Sequence, residues 1–307
     1  MKKIFFTFLF LASLPVYSQS FDRFQYEEAW SFSVSAGATQ YFGELYSFWK
    51  YNEGIQPEWN ANIAAHYTFG THLRARADFS YIKMSGQDPP SDPRANRIPR
   101  NLHFRAKNWE VTAMLEYYWS PVKVPNIHRS SWNPYIFAGV GMSTNNPKAQ
   151  LDGRWVDLRP LKLENNPYNR NVVVFPMGLG LKYKLNVYMD LTLEGNYRFT
   201  MTDYLDDISA YNISEFYLDL VDDYVTGNNP DRLRLAVRNP NFLDDNGLPD
   251  VDKILRNGGR IRRGSGLKHR YDGYMTVNLG VEIYLAPDIW DNFFFRNRVN
   301  EKAFRFW

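Results

Sequence analysis

The sequence predicts an all-β fold: a closed antiparallel transmembrane β-barrel of about eight strands, with long extracellular loops and short periplasmic turns. Three observations carry this expectation. Segments of about ten residues alternate apolar with polar side chains, which puts one set on each face of a strand. The links between them sort into short and long, as the periplasmic turns and surface loops of bacterial barrels do. The chain is 17% aromatic, with 21 Tyr, 22 Phe and 9 Trp, yet polar on average at a mean hydropathy of −0.48. That mixture suits strands with one lipid face and one polar face.

The N-terminus comes first. Lys2 and Lys3 precede the apolar run Ile4 to Leu14, and Val16-Tyr17-Ser18 supplies a cleavage site before Gln19. This pattern predicts a secretory signal peptide over residues 1–18. The barrel is then assigned to residues 19–287 and an aromatic tail to 288–307. No later apolar run approaches the ~20 residues of a helical span.

The strands follow in order. Residues 30–41 set Phe32, Val34, Ala36 and Ala38 against Ser31, Ser33, Ser35 and Thr39. Trp59 to Tyr67 and Leu73 to Tyr81 alternate strictly, and the tight turn Phe69-Gly70-Thr71-His72 joins them. Trp109 to Tyr117 alternates with Glu110, Thr112 and Glu116, and a moderate link over 119–131 leads to a small, apolar strand at 132–142. Residues 172–183 and Met189 to Phe199 are joined by Lys184-Leu185-Asn186, and Met275 to Leu285 is the last strand. The long links are 42–57, 86–103, 143–170 and 203–270. In the last of these, Phe216, Leu220 and Val221 predict some helix between Ile213 and Val225.

In a membrane barrel the polar set faces inward. Here it includes Arg74, Arg76, Lys182 and Arg198 with Asp78, Glu110, Glu116, Asp190, Glu194 and Glu282. An eight-strand barrel is only wide enough for side chains to fill. Charges of both signs there point to a salt-bridged filling rather than an ion pathway, because an unpaired buried charge is costly.

Net charge is +3, and removing Lys2 and Lys3 leaves about +1, so no basic field points to nucleic acid. The absence of Cys excludes disulfides, thiolate metal sites and a lipoprotein anchor. The five His fall in no zinc spacing or triad offset, although His103 and His269 lie near the outer rim. No catalytic residue or cofactor is expected. Asp244, Asn246, Asp250 and Asp252 surround a Gly turn and form a calcium candidate without full EF-hand spacing. Arg94, Arg97, Arg100, Arg105 and Lys107 could meet lipopolysaccharide phosphates. In the tail, Trp290, Phe293, Phe294, Phe295 and Trp307 are candidate partner-binding residues, since exposed aromatic clusters mark interfaces.

Several blocks have a more specific character. Tyr41-Phe42-Gly43-Glu44-Leu45 follows the first strand. Asn146-Pro147-Lys148-Ala149 and Gly153-Arg154-Trp155-Val156-Asp157-Leu158 fill the third long link. Thr202-Asp203-Tyr204-Leu205-Asp206-Asp207-Ile208-Ser209 follows the seventh strand, and Arg263-Gly264 precedes the last. Together they resemble the PorG-type outer-membrane proteins of Bacteroidetes, over most of the mature chain. Residues 210–262 and the aromatic tail depart from that pattern. The resemblance implies a component of the type IX secretion system, anchored in outer-membrane lipid. It would hold a periplasmic ring of the PorK/GldK lipoprotein and its PorN/GldN-type partner, with both barrel termini in the periplasm. The alternative is a small passive channel or surface-structural barrel without a secretion role. Tyr204 and Trp155 are expected in the interfacial aromatic girdle.

Overall fold

The computed structural model describes residues 30–45, 57–88, 100–122, 130–186, 188–264 and 271–285. Its strands are β1 (Trp30–Phe42), β2 (Glu58–Thr68), β3 (Leu73–Gln87), β4 (His103–Tyr118), β5 (Trp132–Thr144), β6 (Lys148–Leu151), β7 (Arg154–Asp157), β8 (Asn171–Lys184), β9 (Met189–Thr200) and β10 (Gly273–Tyr284). Three helices lie between β9 and β10: α1 (Tyr217–Val225), α2 (Pro230–Ala236) and α3 (Val251–Arg256).

Eight of the strands close antiparallel in the order β3-β2-β1-β10-β9-β8-β5-β4, with β4 returning to β3. The chain is therefore a closed eight-stranded barrel, and β6 and β7 form a hairpin beside β4. The short turns and the outer ends of β1 and β10 share one end of the barrel. The strand ends that flank residues 43–57 (loop one), 88–102 (loop two), 145–170 (loop three) and 201–272 (loop four) share the other.

Burial runs inside out relative to a soluble protein. Arg74 and Glu282 are 0% exposed, whereas Val34 is 65% and Leu179 68% exposed. Only lipid outside makes that arrangement favourable. Two rings of aromatics border the apolar band. At the turn end Trp30 packs on Tyr67 (ring centroids 4.9 Å) and Trp132 on Tyr183 (4.5 Å). At the loop end Trp59 packs on Tyr81 (5.1 Å) and Tyr81 on Trp109 (4.9 Å). Eight residue steps separate Trp59 from Tyr67, roughly 26 Å of strand, or about 20 Å normal to the membrane at a tilt of about 40°.

Above the loop-end ring the two faces exchange character. Ile82, Met84, Phe104 and Ala106 point inward and are buried, while Lys83 and Lys107 point outward. Once β3 and β4 leave the bilayer their outer face meets water, so the inner face becomes the apolar one. These inner residues join Tyr41, Leu45, Leu163, Leu205, Ile208 and Leu235 in one core that spans barrel mouth and loops. A second core, around Leu220, Leu233 and Ile254, holds the three helices together. The helix expected from Ile213 onward starts at Tyr217, with Phe216, Leu220 and Val221 buried.

Candidate functional site

The lumen is a continuous polar network. Arg74 and Lys182 converge on Glu282: Arg74 Nη2 lies 2.6 Å from its Oε1, and Lys182 Nζ contacts Oε2. Arg76 bridges Asp78 (3.0 Å), Glu116 (3.0 Å) and Glu194 (2.5 Å). Arg198 Nε donates to Glu110 at 2.7 Å and its Nη1 to Thr276 at 2.7 Å. Tyrosines also donate to the lumen carboxylates. Tyr118 donates to Glu116 (2.7 Å), Tyr284 to Asp190 (2.7 Å), Tyr135 to Glu194 and Tyr274 to Glu110. Gly180 is needed here, because a Cβ would stand 2.2 Å from the Tyr135 ring. Between Ser33, Asn62, His66, Arg76 and Glu194 a void of about 10 Å³ remains, enough for about one water. The ten charged residues that the alternation assigns to the lumen thus lie inside, each in contact with another polar side chain of the lumen.

The loop end is closed by a cap in which the distinctive sequence blocks meet. Asp207, with φ 67°, receives Arg263 Nη2 at 3.0 Å and the Tyr168 hydroxyl at 2.8 Å. Arg263 Nε reaches Glu164 at 2.8 Å, and Glu164 also accepts the amides of Ser209 (3.2 Å) and Ala210 (2.9 Å). Asp272 accepts the Leu205 amide at 3.0 Å, and Asp206 that of Ile208 at 3.0 Å. The Tyr41 hydroxyl faces both carboxyls. Gly43 packs on this group so closely that a Cβ would stand 1.8 Å from Tyr41 Oη and 2.3 Å from Asp272 Oδ1. Burial holds Asp206 and Asp272 well above the usual carboxylate range, and for Asp272 the neighbouring Asp206 adds to it. Burial pushes Asp207 up to about 7 against the pull of Arg263.

The other motif residues support the same cap. Asn146 donates to Asp157 at 3.1 Å, and the Pro147 carbonyl accepts Leu158 N at 2.9 Å. Thr202 accepts the Tyr204 amide through its hydroxyl (3.1 Å) and the Asp272 amide through its carbonyl (3.0 Å). Asp203 accepts the Ser209 hydroxyl at 2.8 Å. Asp152 (φ 50°) and Gly153 (φ 78°) make the turn between β6 and β7.

Four sequence expectations need correction. Tyr204 stacks on Tyr168 in the cap at 4.9 Å rather than joining the girdle, because Asn166 also holds its hydroxyl at 2.7 Å. Trp155 sits on the hairpin, edge-on to His103 and beneath the Arg105 guanidinium, beyond the ring that Trp109 marks. Arg100 is a tie within the cap: it pairs with Asp88 at 2.6 Å and donates to the carbonyls of Glu44 (2.9 Å) and Arg263. The calcium candidates do not converge. Asp244 accepts the amides of Asn246 (2.9 Å) and Leu248 (2.8 Å), and Asp250 caps α3 through Lys253 N (3.0 Å). No group of three or more metal-ligating residues occurs among the described residues. Glu164 and Asp272 were missed; an apolar-acidic pair such as Leu163-Glu164 in a polar loop was the available signal. The signal-peptide segment, Arg94, Arg97, His269, Trp290, Phe293, Phe294, Phe295 and Trp307 lie outside the described residues.

The model of a family described as a domain of unknown function (DUF6089) matches residues 3–220. The chain belongs to this family. Among curated proteins none matches it. Solved structures similar to this DUF6089 chain include Neisserial surface protein A, at 10% identity and TM-score 0.38, covering 83% of this chain and 97% of the other. They also include Ail of Yersinia pestis, in complex with the heparin analogue sucrose octasulfate, at 11% identity and TM-score 0.38, covering 84% and 99%. The outer membrane protein OprG from Pseudomonas aeruginosa is similar at 10% identity and TM-score 0.34, covering 84% and 94%. The closed strand pairing and the lipid-facing band establish this chain as an outer-membrane-type barrel.

Proposed function

We propose that this DUF6089 chain is a non-enzymatic scaffolding subunit of the outer membrane that anchors periplasmic ring components of a type IX secretion system. The observation that carries this reading is the filled lumen. Ion pairs occupy the barrel's middle and an apolar core its mouth, so the molecule has the build of an anchor rather than a conduit. The sorting of short turns and long loops supports an orientation with the turn end and both barrel termini in the periplasm. There the tail 288–307, with Trp290, Phe293, Phe294, Phe295 and Trp307, would dock the ring, since aromatic residues dominate binding hot spots. The partners are the PorK/GldK lipoprotein and the PorN/GldN-type protein that the sequence resemblance implies.

Crosslinking in cells, followed by mass spectrometry, tests the reading. Recovery of the ring proteins with the full chain, and their loss on deletion of 288–307 with normal membrane insertion, is expected. Recovery of only assembly factors and lipid would sink it.

A further inference from the structure

An open cleft of about 530 Å³ lies on the outer side of the cap, between the β6–β7 turn, the end of α2 and the turn at Leu243 to Pro249. That volume falls within the roughly 300–1,000 Å³ of small-ligand sites. Its lining includes two arginines, Arg234 and Arg238, against one carboxylate, Asp152. Arg234 uses that carboxylate at 2.7 Å and also meets Asp231 at 3.6 Å. Asp231 in turn holds Arg154 at 3.0 Å. Arg238, only partly exposed, forms no ion pair among the described residues.

The fixing of Arg238 matters as much as its charge. Its Nη1 lies 2.8 Å from His103 Nδ1 and its Nη2 donates to the Gln150 carbonyl. Both neighbours are neutral at pH 7: burial and the Arg238 charge bring His103 down to about 4. They hold the guanidinium in place without neutralising it. Burial and the adjacent Arg234 lower the Arg238 pKa, and Asp152, which Arg234 already engages, offsets this only in part. A partly buried cation without an ion-pair partner of its own is costly, and an anion in the cleft reduces that cost while using the free N–H groups of the fork. The exposed amides of Asn101 and Gln150 and the apolar side chains of Leu243 and Pro249 complete the lining. Hydrogen-bonding groups beside a small apolar patch fit a sugar ring.

We propose that this cleft binds a small hydroxyl-rich ligand carrying one oxyanion, a sugar phosphate or sugar carboxylate, with Arg238 as the recognition group. The site is separate from the turn end that would meet a periplasmic ring.

Calorimetric titration of the full chain in detergent tests it, with glucose 6-phosphate, galacturonate and glucose as probes. Saturable binding of at least one acidic sugar and none of glucose is expected. Two variants weaken it at least tenfold: Arg238→Gln removes the charge, and Leu243→Trp fills the cleft while leaving Arg238 in place. Heat-modifiable migration verifies that each variant is folded. Repeating the titration in phosphatidylcholine nanodiscs with and without lipid A identifies the source. Competition by lipid A that Arg238→Gln abolishes supports a lipid headgroup; undiminished sugar binding supports a free ligand. Failure of both acidic sugars to bind saturably, or equal affinity in a folded Arg238→Gln variant, overturns the proposal.

Discussion

Arg263 Nε donates to Glu164 Oε1 at 2.8 Å with both side chains almost fully buried, and this contact joins loop four to loop three. Removing the cation leaves Glu164 and Asp207 buried without compensation. Arg263→Met is therefore expected to destabilise the cap by about 3–5 kcal/mol. Limited trypsin digestion of the folded barrel should then cut within the loops, while the strands stay intact. Pairing it with Glu164→Gln should recover part of the loss, because one buried charge has been removed with its partner.

The pH dependence of the cap has a definite sign. Asp207 sits near 7 in the folded cap against about 4 in an unfolded chain. The folded state holds its proton more tightly, so this contribution is fully present below about 4 and is lost as pH rises through about 7. Asp206 and Asp272 are shifted in the same direction. His103, at about 4 when folded, works oppositely and adds stability as pH rises from about 4 to 6.5. Trypsin protection measured across pH in Asp207→Asn and in His103→Asn should separate the two slopes. An unchanged profile in Asp207→Asn would count against the buried, protonated Asp207.

Gly43→Ala is expected to loosen the same seam. Its new methyl would overlap the Tyr41 hydroxyl and Asp272, at 1.8 and 2.3 Å, and overpacking of this kind costs on the order of 1–3 kcal/mol. Proton-exchange protection of the Leu205 amide, which donates to Asp272, is the local readout and should fall.

Inside the membrane, Glu116→Ala should lower the temperature of the folded-to-unfolded gel shift. Glu116 receives Arg76 at 3.0 Å and Tyr118 at 2.7 Å, with Arg74 3.9 Å away. Its loss leaves Arg76 with only Asp78 and Glu194. The expected cost is about 3–5 kcal/mol, and Glu116→Gln should cost less because its amide oxygen keeps one of the two accepted hydrogen bonds and its side chain still fills the space.

The membrane part of this fold was legible because lipid imposes alternation with a constant sign, as in Trp59 to Tyr67 and Met275 to Leu285. The sign reverses above Tyr81 and Trp109, where Ile82, Met84, Phe104 and Ala106 turn inward beneath the cap. Strands sought as one lipid-facing pattern therefore end too early. Asp152-Gly153 is a hairpin signal of the left-handed type, yet within a long loop only its Gly153 enters a motif. The sequence blocks were visible as blocks. Their meeting at Asp207, Arg263 and Glu164 depends on contacts across 56 and 99 residues of chain, which no local pattern encodes.

Planar-bilayer conductance of the purified full chain tests the filled and capped barrel most directly. With Arg74, Lys182 and Glu282 bound together and the mouth closed by the core around Leu205 and Ile208, no steady conductance is expected at neutral pH. Sustained, ohmic channel steps from folded barrels would contradict it.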